Sequence, residues 1–323
     1  RKGDKAIIRH GNSYQFFADL FSLWEIGICA IPVDKAMTVS ELANLFEHSD
    51  GKLLIYRDDF NINELKDISN KEIIAVNTLE IDQLSQNTTS NMRFKDQDVS
   101  WEDIALILYT SGSTGDPKGV MIRQSSVVEN LRAGIKRIQF ISGDRILGVL
   151  PLFHVLPLIT NCLGPLYVGA RVVFLHELTA DGIIEAFRRH RITVFVCVPA
   201  FFYRFHDKLT SSIERSSPLR RRLARMIIGL SGWVRRHCGW SIGRHLLKKA
   251  HQPFGDDMRL FVTGGAKMNA EVFDDFLDWG FQLAQGYGLT ESTAILTATP
   301  LNELRGDTVG SPIEGVSLRI HEP

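Results

Sequence analysis

The densest chemistry in this chain sits in thirteen consecutive residues, Leu108-Tyr109-Thr110-Ser111-Gly112-Ser113-Thr114-Gly115-Asp116-Pro117-Lys118-Gly119-Val120. Three glycines leave backbone N–H groups unhindered, Thr110, Ser111, Ser113 and Thr114 add hydroxyls, and Lys118 adds a positive charge. That combination suits a polyphosphate. It is not a Walker A loop, because no GxxxxGK[ST] string exists and Pro117 precedes the lysine. No paired-carboxylate, Ser-His-Asp or zinc spacing competes with it. Cys29, Cys162, Cys197 and Cys238 form no CxxC and lie mostly among apolar residues, so reduced, buried thiols are expected.

The thirteen-residue string resembles the signature loop of the AMP-forming adenylate-forming superfamily, which includes acyl-CoA synthetases, peptide-synthetase adenylation domains and firefly luciferase. Downstream, Gln285-Gly286-Tyr287-Gly288-Leu289-Thr290-Glu291-Ser292 resembles that superfamily's adenine- and magnesium-binding motif. Leu150-Pro151-Leu152-Phe153-His154-Val155 and Phe261-Val262-Thr263-Gly264-Gly265-Ala266 match segments between the two. The wording is most similar to the long-chain fatty acyl-CoA synthetase branch, clearly from Trp101 to Pro323 and only generally before.

The resemblance implies ATP-dependent activation of a carboxylic acid, of the medium- to long-chain fatty kind. The route would run through an acyl-adenylate to acyl-CoA, AMP and pyrophosphate, with Mg²⁺ as cofactor and CoA as co-substrate. Negative charge accumulates on the α-phosphate and the leaving group, so catalysis is mainly positioning and electrostatic stabilisation. By resemblance, Thr110, Ser111, Gly112, Ser113, Thr114, Gly115 and Lys118 hold the β- and γ-phosphates. Gly264, Gly265, Ala266, Gln285, Gly286, Tyr287 and Gly288 surround the adenine, Thr290 donates to the α-phosphate, and Glu291 ligates Mg²⁺ as a hard oxygen donor. His154 would lie near the acyl carboxylate, with Phe153, Leu156, Leu158 and Ile159 along an acyl pocket. Thr110, Lys118, His154, Thr290 and Glu291 are thus the residues expected at the reacting groups. A core aromatic is the rival reading of Tyr287, and a satisfied core histidine that of His154. Two alternatives to the fatty acid–CoA ligase stand beside it: a fatty acyl-AMP ligase loading a carrier-protein thiol, and a non-catalytic fragment that binds nucleotide or lipid only.

The elements that must position these residues alternate between strand and helix. Ile104–Tyr109 is an unbroken apolar run, the pattern of a strand buried on both faces. Val120–Ile122 gives a short second strand, and Ser125 or Ser126 can cap a helix from Val127 towards Ile138. Arg145–Leu150, Arg171–Leu175, Thr193–Val198 and Arg259–Thr263 are further strand candidates, separated by helical patterns over Asp181–His190 and Ala270–Trp279. Earlier, Phe16–Gly27 and Val39–His48 read as helices, and Leu53–Tyr56 and Glu72–Val76 as strands. The polar stretch Asp82–Gln97 is expected to be a surface connection. The fold class is therefore α/β, mostly parallel sheets with helices between them, layered as in the acyl-CoA synthetase and luciferase type.

Composition sets outer limits. The 323 residues are 44% hydrophobic and 23% charged, with 37 Lys+Arg against 37 Asp+Glu. A disordered, collagen-like or coiled-coil chain is excluded, and zero net charge argues against a nucleic-acid partner. Between Arg145 and Arg171 no charged side chain occurs, yet Pro151, Pro157, Pro165, His154 and Asn161 speak against a bilayer span. Between Arg215 and Lys249 lie ten Lys+Arg and no acid, with Leu219, Leu223, Met226, Ile227, Leu230, Trp233 and Val234 on one helical face. Such a helix lies on an anionic membrane or an acidic surface, or is simply a solvated face. A cytoplasmic protein with peripheral membrane contact through 215–249 is the resulting expectation.

The superfamily continues with a segment whose aspartate binds the ribose, then a hinge and a small C-terminal domain carrying a catalytic lysine. The sequence stops before matches to any of these. Residues 1–323 are accordingly expected to be most of the large N-terminal domain, with subdomains 1–98 and 99–323 and the small C-terminal domain absent.

Overall fold

Apolar runs bounded by turn residues become strands in the computed structural model, which describes residues 1–80, 98–110, 117–175 and 177–321. The connection expected over 82–97 lies outside the described residues. The chain divides into two compact units, Arg1–Glu129 with Pro151–Leu158, and Asn130–Leu150 with Ile159–Pro323.

The first unit is built on a six-stranded sheet in the order β4-β3-β1-β2-β5-β6. Its strands are β1 (Lys5–Arg9), β2 (Cys29–Pro32), β3 (Leu53–Tyr56), β4 (Ile74–Asn77), β5 (Ile104–Thr110) and β6 (Lys118–Arg123). All neighbours are parallel except β5 and β6. Helices α1 (Tyr14–Glu25), α2 (Val39–Ser49) and α3 (Ile62–Ile68) connect the parallel strands. Ser13 caps α1, and Thr38 with Glu41 forms a capping box on α2. Ile7, Ile31, Leu42, Phe46, Leu54 and Leu65 form its core. β5 is buried from Ala105 to Leu108, as a strand covered on both faces must be. Because β5 hydrogen-bonds to β2, residues 99–129 belong with the first unit; a division at 98/99 would cut this sheet.

Helix α4 (Gln124–Ile138) passes from the first unit into the second. It starts earlier than the sequence suggests, and no serine cap is needed. The N–H groups of Gln124 and Ser125 donate to the carbonyls of Asp103 and Trp101 at 3.0 Å, which satisfies donors that a cap would otherwise serve.

The second unit carries a seven-stranded sheet in the order β13-β12-β11-β10-β9-β7-β8. β7 (Arg145–Leu147), β8 (Arg171–Val173), β9 (Val194–Cys197), β10 (Leu260–Thr263) and β11 (Leu283–Tyr287) are parallel. The short β12 (Thr297–Ala298) and β13 (Ser311–Pro312) run antiparallel at one edge. Around the sheet lie α5 (Ala180–Arg189), α6 (Pro199–Glu214), α7 (Pro218–Cys238) and α8 (Ala270–Asp278). The core is aromatic: Phe187, Phe195, Phe202, Phe261 and Phe276 are essentially inaccessible, each worth about 1.5–3 kcal/mol on burial. At the start of β7 the buried Asp144 accepts from Arg259, Thr193 and the Ile141 N–H. Burial alone would raise its pKa, but these donors together hold it below the usual carboxylate value.

The uncharged stretch after β7 is broken into short helical pieces, Val155–Pro157, a π-helical turn Leu158–Leu163 and Gly164–Val168. Among the described residues no helix is long and apolar enough to cross a membrane. Cys29, Cys162 and Cys197 are buried, and burial pushes the thiols of Cys29 and Cys197 up to about 12. Cys238, at the end of α7, departs from that expectation and is exposed, because α7 turns its last residues to solvent.

Candidate nucleotide site

β10 and β11 run parallel and in register, with Val262 opposite Ala284 and Thr263 opposite Gln285. The segments leaving their C-terminal ends, Gly264–Ala266 and Gly286–Leu289, therefore emerge side by side. The crevice beyond the carboxyl ends of parallel strands is where open α/β sheets take ligands. Here it is a pocket of about 440 Å³ lined by Gly265, Ala266, Lys267, Met268, Gln285–Leu289 and Gly306–Val309.

Gln285 is buried and its amide is already committed. Its Nε2 donates to the carbonyls of Arg305, Gly306 and Thr308, while its backbone N–H donates to Thr299 Oγ1 at 2.9 Å. It thus pins the 305–308 segment as the opposite wall. Tyr287 is 45% exposed, so it is a wall of the pocket and not a core aromatic. Gly288 has no room for a side chain: a Cβ there would fall 1.3 Å from the carbonyl oxygen of Ala294. The backbone of the motif is packed directly on the turn that follows it.

That turn holds Thr290 and Glu291. Thr290–Ser292 forms one 3-10 turn, followed by Thr293 and Ala294 in left-handed conformations at φ 63° and 99°. Two consecutive non-glycine residues there cost free energy and persist only where surroundings fix them. Asn130 of α4 supplies the fixing. Its Nδ2 donates to the carbonyl of Ile295 at 2.8 Å, and its Oδ1 accepts the Ile295 N–H at 3.2 Å. Glu291 is exposed and has no hydrogen-bond or ion-pair partner among the described residues. Its free carboxylate suits Mg²⁺, which takes one or two carboxylates and completes its shell with water and phosphate oxygens. No cluster of three or more His, Cys, Asp or Glu side chains that could hold a metal occurs among the described residues.

In the first unit, Thr110 ends β5 and Lys118 opens β6 directly opposite it. The expected phosphate residues Ser111, Gly112, Ser113, Thr114 and Gly115 lie outside the described residues. Gly119 is closely packed: a Cβ would sit 3.0 Å from the Ile107 side chain and 3.3 Å from that of Tyr109, whose hydroxyl is hydrogen-bonded to His48 at 2.8 Å. Lys118 is exposed. His154 is exposed as well, beside Phe153 at 4.4 Å between ring centroids, so it is not a core histidine. Partial burial holds its pKa below the ordinary value, opposed by the nearby charge of Asp34. Its loop is tied down by the Leu152 N–H donating to Asn12 Oδ1 at 3.0 Å. Leu158 and Ile159 are packed at 0% and 3% exposure, leaving Phe153 and Leu156 as the more accessible apolar side chains beside His154.

Of the residues expected at the adenine, Gly265, Ala266, Gln285, Gly286, Tyr287 and Gly288 share one pocket; Gly264, Thr290 and Glu291 flank its lining in sequence. Sequence reasoning missed Lys267, Met268, Gly306–Val309 and Asn130. The pair of glycines in Arg305-Gly306-Asp307-Thr308-Val309-Gly310 was the available signal for the second wall. Within it, the Arg305 guanidinium, 2.7 Å away, holds the Asp307 carboxyl below its usual range.

Residues 1–323 match the family described as AMP-binding enzyme. The chain is similar to the mitochondrial malonate–CoA ligase ACSF3 of Xenopus laevis, 27% identical over 316 residues, covering 95% of this chain and 50% of that protein. It is similar to the peroxisomal long chain acyl-CoA synthetase 7 of Arabidopsis thaliana, 27% identical over 226 residues, covering 68% of this chain and 32% of that protein. In fold it resembles the crystal structure of ATP-bound MatB from Rhodopseudomonas palustris, with a TM-score of 0.76 at 22% identity over 100% of this chain and 57% of that one. The chain spans about half the length of the curated relatives it matches.

Proposed function

We propose, from the premise that this chain belongs to the AMP-binding enzyme family, that it is the ATP- and acid-binding part of an AMP-forming acid–thiol ligase. The observation that carries this reading is the pocket at the ends of β10 and β11: glycine backbone on one side, the exposed Tyr287 ring, and on the adjoining turn the exposed Glu291 carboxylate, without a partner among the described residues. A planar base fits against Tyr287 and the bare backbone of Gly265 and Gly286, with Thr290 and Glu291 turned to the phosphate chain. In the reaction an oxygen of the substrate carboxylate bonds to the α-phosphorus and the bond to pyrophosphate breaks; a thiol then takes the acyl group and AMP leaves. Mg²⁺, when bound at Glu291, would neutralise phosphate charge. Lys118 and the hydroxyls of the 110–115 loop would hold the leaving pyrophosphate, and a largely neutral His154 would lie beside the acid. We assign a medium- to long-chain fatty acid as substrate and CoA as acceptor, on the apolar surroundings of His154 and the wording of that segment.

The test is acid-dependent pyrophosphate–ATP exchange by the intact protein. Lys118→Ala should lower exchange by roughly tenfold to a thousandfold, the range for losing one electrostatic donor in a preorganised site. Glu291→Gln should raise the Mg²⁺ concentration needed for half-maximal exchange, because a charged hard ligand becomes neutral. Full exchange by both variants, at an unchanged Mg²⁺ requirement, would remove the assignment.

A further inference from the structure

Helix α7 turns its apolar side outward. Leu219, Leu223, Met226, Leu230 and Trp233 recur at three- and four-residue spacing and so form one stripe, and each is between 53% and 78% exposed. The side facing the protein carries small and polar residues around Ile228, which packs against the aromatic core. Ser231 and Gly232 are buried there, Arg235 and Arg236 pair with Asp278 at 2.8 and 2.9 Å, and Arg221 and Arg225 pair with Glu214. An ordinary surface helix buries the opposite face. Contiguous apolar surface of this kind marks an interaction site on a soluble protein.

Charge identifies the partner. Arg220 and Arg222 flank the stripe and have no ion-pair partner among the described residues. The whole segment from Arg215 to Lys249 carries ten cations and no acid. Beside the stripe, Arg221, Arg222, Arg225 and Met226 line a shallow cleft of about 390 Å³; of its three guanidinium groups, those of Arg221 and Arg225 share the single carboxylate of Glu214. A second copy of this chain would press one cationic segment against another, which is unfavourable. We propose that α7 is a membrane-docking element that lies on an anionic lipid bilayer. The Leu/Met/Trp stripe enters the boundary between headgroups and acyl chains, and the flanking arginines take lipid phosphates. This does not depend on which acid the protein activates.

The experiment is co-sedimentation of the intact protein with vesicles of phosphatidylcholine alone and of phosphatidylcholine mixed with phosphatidylglycerol, at low and high salt. Binding should require phosphatidylglycerol and weaken with salt. An Arg220→Gln/Arg222→Gln variant should bind roughly thirtyfold more weakly, since each cation near the surface contributes about a factor of five. Met226→Gln/Leu230→Gln should also bind more weakly at an unchanged melting temperature, because both side chains are already in water and glutamine has nearly their helix propensity. Equal binding to the two vesicle types, or none to either, overturns the proposal. So does a fall in melting temperature, which would show the stripe packed within the intact protein, or lipid-free self-association that the Met226→Gln/Leu230→Gln variant abolishes.

Discussion

Replacing Gly288 by alanine is expected to destabilise the chain by about 3 kcal/mol and to abolish nucleotide binding. The added methyl would meet the carbonyl oxygen of Ala294 at 1.3 Å, and overpacking of a filled site costs about 1–3 kcal/mol, with more where backbone must move. Neither partner can relieve the clash by changing rotamer, since both are main chain. The relief available is to displace the turn that carries Thr290 and Glu291, which separates it from Tyr287 and Gly286. Gly229→Ala is the matched control. Gly229 lies on the exposed side of α7 with nothing within 4 Å of its added Cβ, so alanine there should stabilise by about 1 kcal/mol through helix propensity. Denaturant midpoints of both variants, with titration of a fluorescent ATP analogue, decide the matter. A Gly288→Ala protein as stable as the parent would mean that the turn is not packed as described.

Asn130→Leu is expected to cost about 2–4 kcal/mol and to disturb the magnesium dependence without touching the nucleotide pocket itself. Leucine fills the space but leaves the N–H and carbonyl of Ile295 unpaired in a buried position, at about 1–3 kcal/mol for each group. The left-handed residues Thr293 and Ala294 lose their restraint at the same time. Asn130→Asp keeps the acceptor for the Ile295 N–H and loses the donor to its carbonyl, so it should fall between parent and leucine variant. A purely structural role would lower stability alone. A positioning role also raises the Mg²⁺ concentration needed for exchange, as Glu291→Gln does. Unchanged stability of Asn130→Leu would show that the clamp contributes nothing.

Local patterns sufficed wherever the determinant was local. The apolar run Ile104–Tyr109, bounded by turn residues, has the pattern of a buried strand, and β5 is one. The glycines, hydroxyls and lysine of 110–119 suggested phosphate binding by residue type alone, and that assignment is part of the proposal. Strand and helix periodicities located β3, α2, α5 and α8 to within a residue or two, because each buries one regular face. The start of α4 was misjudged because its first N–H groups are satisfied by carbonyls of Trp101 and Asp103, about twenty residues upstream, and no helix-capping rule sees that far.

The sequence by itself determined the fold class, α/β with mostly parallel sheets, and which residue types stand ready for the proposed chemistry: glycines, hydroxyls and a lysine at 110–119, the 285–292 motif and the Glu291 carboxylate. Tertiary structure decided how those groups are held. Gln285, expected at the adenine, lines that pocket, and its amide also secures the facing wall, whose residues 305–308 are brought to it only by the sheet edge. Asn130 carried no signal because its partner is 165 residues away, a separation over which periodicity says nothing. The pattern of α7 showed an apolar stripe with arginines opposite, but not which side faces the protein. Asp278 and Glu214 settled it, because arginines held by carboxylates on one side leave leucines, methionine and tryptophan to face outward.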